Sequence, residues 1–150
     1  MVLKLKDVFN TTGLKKDFSY EISPDELKSI QGYVFASPVS VKGCVFNRAD
    51  IVTARFSTEF TLRLICDRCL KELNRDYSYE FEHIIVRSLN NSDNDDYIVA
   101  SGESVDLNEV ALSDLLLKLP SKMLCKDDCK GLCMVCGCDL NESQCSCLSD

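Results

Sequence analysis

Ten cysteines are the residues of this 150-residue chain best suited to chemistry. A C-x-x-C pair brings two sulfur atoms to one side of a turn, and zinc binds four such thiolates in a closed tetrahedral site. The spacing therefore predicts two zinc ions (Zn2+) per chain, held by eight of the cysteines in four pairs. These pairs are Cys66 with Cys69, Cys125 with Cys129, Cys133 with Cys136, and Cys145 with Cys147.

The first predicted site joins the middle of the chain to the start of its C-terminal tail. Cys66-x-x-Cys69 leaves two coordination positions open, and Cys125-x-x-x-Cys129 can fill them. Such a site closes a long loop and thereby contributes to stability. Leu70 stands where a zinc knuckle often has glycine, so we expect this turn to differ from an ordinary knuckle.

The second predicted site lies wholly within the tail. Cys133-x-x-Cys136-Gly137 has a glycine directly after its second cysteine, where a knuckle often needs a positive φ. Cys145-x-Cys147 completes this site. Two alternatives stay open: Cys138 competes as a ligand, and Cys129 could instead join Cys133, Cys136 and Cys145 in one tetrad.

Other uses of the thiols fit the pattern less well. The cytosol keeps thiols reduced, which argues against standing disulfides. An iron–sulfur cluster also needs four thiolates, but the chain lacks a characteristic four-cysteine spacing for one. Cys44 stands alone in a β-branched segment, and we predict that it is a small buried hydrophobic residue.

Two long alternating runs predict a β-hairpin with Cys66 and Cys69 at its tip. Between Ile51 and Cys66, even positions hold Phe56, Phe60, Leu62, Leu64 and Cys66, whereas odd positions 55, 57, 59, 61 and 63 are charged or polar. After the turn, apolar residues fall on odd positions from Leu73 to Phe81. Each strand is therefore expected to bury one face.

Shorter signals predict the remaining elements. Further strands are expected at Leu3–Leu5, Phe18–Ile22 and Val39–Val45. A short helix is predicted from Ser23 to Ile30, because Ser23, Pro24 and Glu26 have the order of a capping box. A stronger helix follows Asp106 and stops at Pro120.

Together these elements predict an α+β, β-rich fold: an antiparallel sheet or open barrel with two helices and a C-terminal zinc-knuckle tail. Residues 1–119 would form the body, with the hairpin knuckle at 66–69 and a helix near 107–118. Residues 120–150 would form the cysteine-rich, metal-binding tail. Ser88 to Asp96 is polar and acidic, and we expect a mobile surface loop there.

The charge and the hydropathy limit the class of protein. The first residues do not resemble a signal peptide, and no apolar run approaches the length of a membrane span, so we expect a cytoplasmic protein without a membrane partner. The formal net charge of −7 argues against binding nucleic acid by bulk attraction. Contact with RNA would need a local basic patch or a partner protein.

One set of cations near the cysteines is the best candidate for such a patch. If the first site forms, these residues converge on one surface, although they could equally offset the zinc–thiolate charge or simply be solvated. They are Arg68, Lys71, Lys122, Lys126 and Lys130.

Catalytic patterns do not stand out in the chain. There is no glycine-rich phosphate loop, no Ser/His/Asp arrangement and no H-E-x-x-H motif, and closed all-cysteine zinc sites are structural. His83 and the aromatic residues Tyr77, Tyr79 and Phe81 lie on the apolar face of a strand, so packing is the expected role of all four. We therefore expect no enzyme, no catalytic residue and no small-molecule substrate.

Two strings resemble a known family. Leu64-Ile-Cys66-Asp-Arg-Cys69-Leu70 and the run from Cys129 to Asn141, with its trailing Cys145-Ser-Cys147, are similar to the YceD family of large ribosomal RNA subunit accumulation proteins. Met134 departs from that pattern, where proline is common, and so does Cys138, where another residue is usual. The second departure bears on the ligand set of the tail.

The resemblance implies a ribosome-biogenesis role in the synthesis, processing or stability of large-subunit (23S) rRNA. The partner would be the rRNA precursor or a ribosome-assembly protein. By residue, the family's metal-ligand candidates fall on Cys66, Cys69, Cys125 and Cys129, with the tail cysteines as an additional set. The competing interpretations are a thiol redox or metal-responsive protein that uses the C-x-x-C pairs, and a protein-binding zinc module without RNA contact.

Overall fold

The computed structural model describes residues 1–89 and 96–148, and these contain eight strands and two α-helices. The helices are α1 (Lys6–Asn10) and α2 (Leu107–Lys118), and short 3-10 turns cover Glu26–Ser29 and Ser146–Leu148. The strands are β1 (Val2–Lys4), β2 (Lys15–Ile22), β3 (Val34–Phe35), β4 (Val39–Arg48), β5 (Ile51–Ile65), β6 (Glu72–Val86), β7 (Tyr97–Val99) and β8 (Ser104–Asp106).

The strands form one large sheet and one small one. The large sheet has the order β2-β4-β5-β6-β7, and β3 adds to β5 beyond the end of β4. All of its pairings are antiparallel except β6 with β7. β1 and β8 form the separate antiparallel pair. Within the described residues the sheet does not close on itself, so the predicted α+β, β-rich fold is confirmed as an open sheet.

The hairpin of β5 and β6 is the longest pairing in the sheet. Its register runs from Val52 opposite Ile85 to Ile65 opposite Glu72, and the four residues Cys66 to Cys69 begin the turn that follows. The even positions of β5 are buried throughout, including Phe60 and Leu62. The predicted hairpin and the placement of the first C-x-x-C pair at its tip are therefore confirmed.

Helix α2 packs one side into the hydrophobic core that it shares with the sheet. Its buried residues Leu107, Ala111 and Leu115 are spaced by four and therefore lie along one side of the helix. The Asp106 carboxylate caps the helix by accepting from the N–H of Asn108 at 3.0 Å. The side chain of His83 on β6 meets Asp114 of α2 at 2.7 Å, which ties the helix to the hairpin. The helix predicted after Asp106 is confirmed.

The first half of the chain differs from prediction in its helices. The segment predicted as a helix from Ser23 to Ile30 is a single 3-10 turn, although the capping contact forms: Ser23 N–H donates to Glu26 at 2.9 Å. The segment is too short to continue the helix beyond this first turn. The second α-helix is instead α1, which has no side-chain cap and is held by the buried side chains of Leu5 and Val8.

Cys44 is half-buried, so the prediction of a buried residue is wrong. The core-facing residues of β4 are the odd-numbered ones, including Val41 and Val45. Cys44 has even parity and lies on the opposite face of the sheet. Tyr77, Tyr79 and Phe81 are half-buried and pack against the core, as expected of them.

Two further predictions concern the loop and the membrane. Most of the loop predicted from Ser88 to Asp96 falls on residues 90–95, which lie outside the described residues. Across the described part of the chain, neither helix has the length and apolar character needed to cross a membrane.

The packing of α2 predicts unequal effects for two leucines of this helix. Leu115→Ala should lower the free energy of unfolding by about 2 to 5 kcal/mol, because it leaves a cavity in the core. Leu117→Ala should change it by less than about 0.5 kcal/mol, because 86% of Leu117 is exposed. Urea unfolding of the two variants measures the difference. Similar values for both would show that α2 does not pack on the sheet in this orientation.

Candidate metal centre

One cluster, the body site, contains Cys66 and Cys69 from the hairpin tip with Cys125 and Cys129. Their four sulfur atoms lie within 4.8 Å of one another. The Sγ atoms of Cys66 and Cys129 are 3.7 Å apart, and those of Cys69 and Cys125 are 3.6 Å apart. Tetrahedral zinc with bonds of about 2.3 Å to sulfur separates its ligands by about 3.8 Å. The donor set and its spacing therefore fit a single zinc ion.

The turn of the body site matches that of the tail knuckle. Leu70 N–H donates to the carbonyl of Cys66 at 3.0 Å, and Gly137 N–H donates to that of Cys133 at 2.9 Å. Leu70 has a φ of 60° and Gly137 a φ of 73°, so both are in the left-handed region. The expectation that the first turn would differ is wrong. A leucine accepts this conformation at a cost of about 1 to 2 kcal/mol, and its side chain projects into solvent.

Contacts that involve no cysteine sulfur also hold the segment from Met123 to Cys129 against the hairpin. Asp67 N–H donates to the carbonyl of Met123 at 2.7 Å, and Met123 N–H donates back to the Asp67 carboxylate at 2.8 Å. Arg75 donates to the carbonyl of Leu124 at 2.8 Å, and Arg68 donates to that of Cys129 at 2.8 Å. The polypeptide thus brings the two halves of the body site together through contacts of its own.

Sequence reasoning missed the roles of Asp67 and Arg75. A signal for Arg75 was present, because it is the one charged residue among the core-facing odd positions of β6 from Leu73 to Phe81. A charge on an apolar face needs a partner. The partner carbonyls come from a distant segment, which the sequence pattern does not identify.

The thiol pKa values of the body site diverge. The backbone N–H of Cys69 donates a hydrogen bond to the Cys66 sulfur, and this bond is the main cause that lowers the pKa of Cys66 to about 6. Burial opposes ionisation of Cys129, but hydrogen bonds from the Asn141 amide and the Gly131 N–H lower its pKa overall.

The other two thiols of the body site are weakly acidic. Burial, followed by hydrogen bonds with neighbouring sulfurs, raises the pKa of Cys125 to about 12. The Lys71 N–H bond favours the Cys69 thiolate, but burial and neighbouring thiols raise its pKa overall. Without a metal, the crowded thiols therefore divide into acidic and weakly acidic members.

The second cluster, the tail site, contains Cys133, Cys136, Cys145 and Cys147, whose sulfur atoms also lie within 4.8 Å of one another. The Sγ atom of Cys145 is 3.3 Å from those of Cys133 and Cys136, so these sulfurs are closer together than in the body site. Cys136 and Cys147 are exposed. This donor set also suits zinc, in a site open to solvent.

Cys138 lies beside the tail site without belonging to its tetrad. Its thiol hydrogen-bonds with those of Cys136 and Cys145, so it is placed to compete as a ligand. Cys129, in contrast, belongs with Cys66 in the body site. The structure therefore does not bring together the alternative tetrad of Cys129 with Cys133, Cys136 and Cys145.

Two residues of the tail hold it close to the body site: Asn141 bonds to Cys129 and Lys130, and Gly131 approaches Arg68 at the hairpin tip. The Asn141 amide donates to the Cys129 sulfur at 3.4 Å, and its carbonyl oxygen accepts from Lys130 N–H at 2.9 Å. Gly131 has a φ of 77°, and a Cβ atom there would lie 3.1 Å from the carbonyl oxygen of Arg68. Close backbone approach and an N–H···S bond thus couple the tail to the body site.

Comparison with known proteins adds a family to this geometry. The profile of the family described as large ribosomal RNA subunit accumulation protein YceD matches residues 54–150, which is more than half of the chain. The chain belongs to the YceD family. The YceD match runs from β5 through the tail and includes both cysteine clusters. Membership implies a role in the accumulation of large-subunit ribosomal RNA. No curated protein and no solved structure matched the chain.

Two of the five candidate RNA-contacting cations of this YceD protein lie beside carboxylates. Lys71 pairs with Glu142 at 2.5 Å, and Lys126 lies 4.0 Å from Asp128. The Arg68 guanidinium is engaged with the Cys129 carbonyl. Lys122 and Lys130 are exposed, and their side chains form no ion pair within the described residues. Direct RNA contact by these residues stays a prediction.

The contact of Gly131 with Arg68 predicts the effect of a single methyl group. Gly131→Ala and Gly32→Ala should each cost about 1 to 2 kcal/mol through their positive φ. Only Gly131→Ala also crowds a carbonyl oxygen, which should add about 1 kcal/mol and loosen the tail. Urea unfolding and hydrogen exchange of residues 131–147 measure both effects. Equal destabilisation, with an unchanged tail, would count against docking through Gly131.

The pKa values predict how pH governs metal binding at the body site. Above the pKa of Cys66, at about 6, Cys69 and Cys125 still carry protons because their pKa values are raised. Zinc must displace at least these two protons, so its affinity should rise at least about hundredfold from about pH 7 to 8. It should fall as the pH decreases. Competition with a chromophoric chelator tests this in a Cys133→Ser/Cys136→Ser variant, and a pH-independent affinity would contradict it.

Proposed function

We propose that this protein is a cytoplasmic, zinc-binding ribosome-biogenesis factor that serves the synthesis, processing or stability of large-subunit (23S) rRNA. The observation that carries the proposal is the body site, where four cysteine sulfurs join the tip of the longest hairpin to the tail. This cluster lies inside the region that matches the YceD family. Zinc acts as a scaffold that holds the hairpin tip and the tail together, so that both contribute to one surface.

The donor chemistry supports zinc at both sites. The sulfur separations of 3.6 and 3.7 Å in the body site leave room for one ion. A cluster of several iron and sulfide atoms would hold its cysteines farther apart, so these separations favour zinc over an iron–sulfur centre. Four thiolates are also the set that zinc takes in structural sites.

The closed coordination supports a function without catalysis. Four protein ligands leave no position for a metal-bound water, which a hydrolytic zinc requires. Cys66, Cys69 and Cys129 are buried, and the body-site sulfurs accept N–H bonds from the surrounding chain. We therefore propose that both metal ions are structural and that the protein is no enzyme.

The surface around the body site supports a specific contact rather than bulk attraction. Lys122 and Lys130 present cations to solvent, while Lys71 and Lys126 lie beside carboxylates. Counterion release drives RNA binding where cations are unopposed. We propose contact either with rRNA precursor through Arg68, Lys71, Lys122, Lys126 and Lys130, or with a ribosome-assembly protein that carries the RNA.

The test removes the body site in cells whose own copy is replaced by a variant. Cys66→Ser/Cys69→Ser should reduce bound zinc from two ions to one and lower the level of large-subunit rRNA. Cys44→Ser, which changes a thiol outside both clusters, should leave zinc and rRNA unchanged. Elemental analysis of purified protein and quantification of rRNA measure the outcomes. A folded variant that has lost its body-site metal and still supports normal rRNA would contradict the proposal.

The exposure of the tail site favours one second candidate, a thiol redox or metal-responsive function. Cys136 and Cys147 are exposed, and Cys138 supplies a fifth thiol beside the tetrad. Iodoacetamide treatment of the zinc-loaded protein, followed by mass spectrometry, tests it. Alkylation of Cys136 ahead of Cys44 would support this function. Modification of only the two thiols outside the tetrads, Cys44 and Cys138, would exclude it.

A further inference from the structure

A groove with a volume of about 560 Å³ lies between α2 and the short strands β7 and β8. None of the residues that line it belongs to either cysteine cluster or to the tail. Its volume is in the range of sites that enclose a small ligand or a few side chains, about 300 to 1,000 Å³. The groove is therefore a second feature of the surface, separate from the metal centre.

Apolar side chains form much of this groove and are open to solvent. Val2 is 62% exposed, Val99 is 47% exposed and Leu117 is 86% exposed, although all three are aliphatic. The half-buried side chains of Ile98 and Val110 continue the same lining. Adjacent exposed apolar residues rimmed by polar ones are typical of interaction sites.

Three carboxylates line the groove. Asp106, Glu109 and Asp114 line it, and no lysine or arginine does. His83 bonds to Asp114, and Asp106 accepts from the N-terminal ammonium group at 3.4 Å, which leaves Glu109 without an ion pair among the described residues. The unpaired Glu109 carboxylate favours a cationic side chain at this rim over a phosphate. RNA is therefore an unsuitable occupant.

We propose that this groove binds a basic, amphipathic peptide segment of a partner protein. The apolar side of the segment would cover Leu117, Val99 and Val2, and its lysine or arginine side chains would reach Glu109 and Asp106 at the rim. We choose a basic occupant because its positive charge complements the carboxylates of the groove. A second copy of this chain, with a net charge of −7, is opposed by like-charge repulsion.

The identity of the partner class rests on the proposed function. A protein that accompanies rRNA neutralises phosphates with lysine and arginine, so its segments have the chemistry that this rim selects. The groove would then recognise the protein component of an assembly intermediate. The metal centre would form a separate surface of the same molecule.

The experiment uses the full-length, zinc-loaded protein and three labelled probes. One is a 16-residue synthetic peptide of leucine and lysine with helical periodicity, the second has glutamate in place of lysine, and the third is a single-stranded RNA oligonucleotide. Fluorescence anisotropy at physiological salt should show binding of the lysine peptide alone. Amide chemical-shift changes on binding should concentrate at Val99, Val110 and Leu117.

Variants distinguish the groove from general attraction to an acidic protein. Leu117→Ser and Glu109→Lys should each weaken binding at least about tenfold, since each removes one half of the recognition. Val34→Ser and Glu21→Lys are the matched controls, because both side chains are exposed and lie outside the groove. They should change the affinity less than about twofold.

Several outcomes would overturn the proposal. These are equal binding of the lysine and glutamate peptides, unchanged affinity in Leu117→Ser, displacement of the peptide by RNA, or a concentration-dependent dimer that buries Leu117. Failure here is separable from failure of the proposed function. If Cys66→Ser/Cys69→Ser lowers rRNA while the peptide does not bind, only the partner assignment is lost. If the peptide binds but zinc loss leaves rRNA normal, the rRNA role is lost.

Discussion

The register between β5 and β6 determines where the first cysteine pair lies and which way it faces. Side chains alternate along a strand, so a slip of one residue would move Phe60, Leu62 and Leu64 from the core to solvent. Cys66 continues the same even-numbered parity and is fully buried. The apolar burial that specifies the register therefore also directs the Cys66 sulfur toward the inside of the hairpin tip. Every later feature of the body site depends on that orientation.

The second half of the body site comes from a segment more than fifty residues farther along the chain, and closing so long a loop costs conformational entropy. Hydrogen bonds from Asp67, Arg68 and Arg75 to backbone groups of the incoming segment offset part of that cost without a metal. The four sulfurs are thus brought near their tetrahedral separations by the polypeptide. A zinc ion bound by these sulfurs would have less ordering to perform, and more of its binding free energy would stabilise the joined structure.

The two cysteine clusters and the groove differ in chemistry. Three of the four body-site cysteines are buried, and Lys71 and Lys126 beside this site lie near carboxylates, whereas the tail site is open and has an additional thiol next to it. The groove beside α2 has exposed aliphatic residues and an acidic rim. A protein with this arrangement is suited to hold partners of different kinds on separate surfaces. Its net charge of −7 opposes bulk attraction to RNA, so the proposed contact with RNA would depend on specific groups, and the proposed contact with a basic segment on charge.

The sequence by itself determined the features that follow from local periodicity and spacing: the β5–β6 hairpin, the cap and extent of α2, and the pairs in which the cysteines occur. It did not show that Leu70 adopts a glycine-like φ, that α1 forms around Leu5 and Val8, or that Cys44 faces away from the core. Those outcomes depend on which distant groups pack or bond with each residue. Only the tertiary structure decided that Arg75 bonds to the segment before Cys129, that one cluster is buried and the other open, and that a groove separates α2 from β7. These features depend on contacts between residues far apart in the chain, and the local sequence pattern does not identify such contacts.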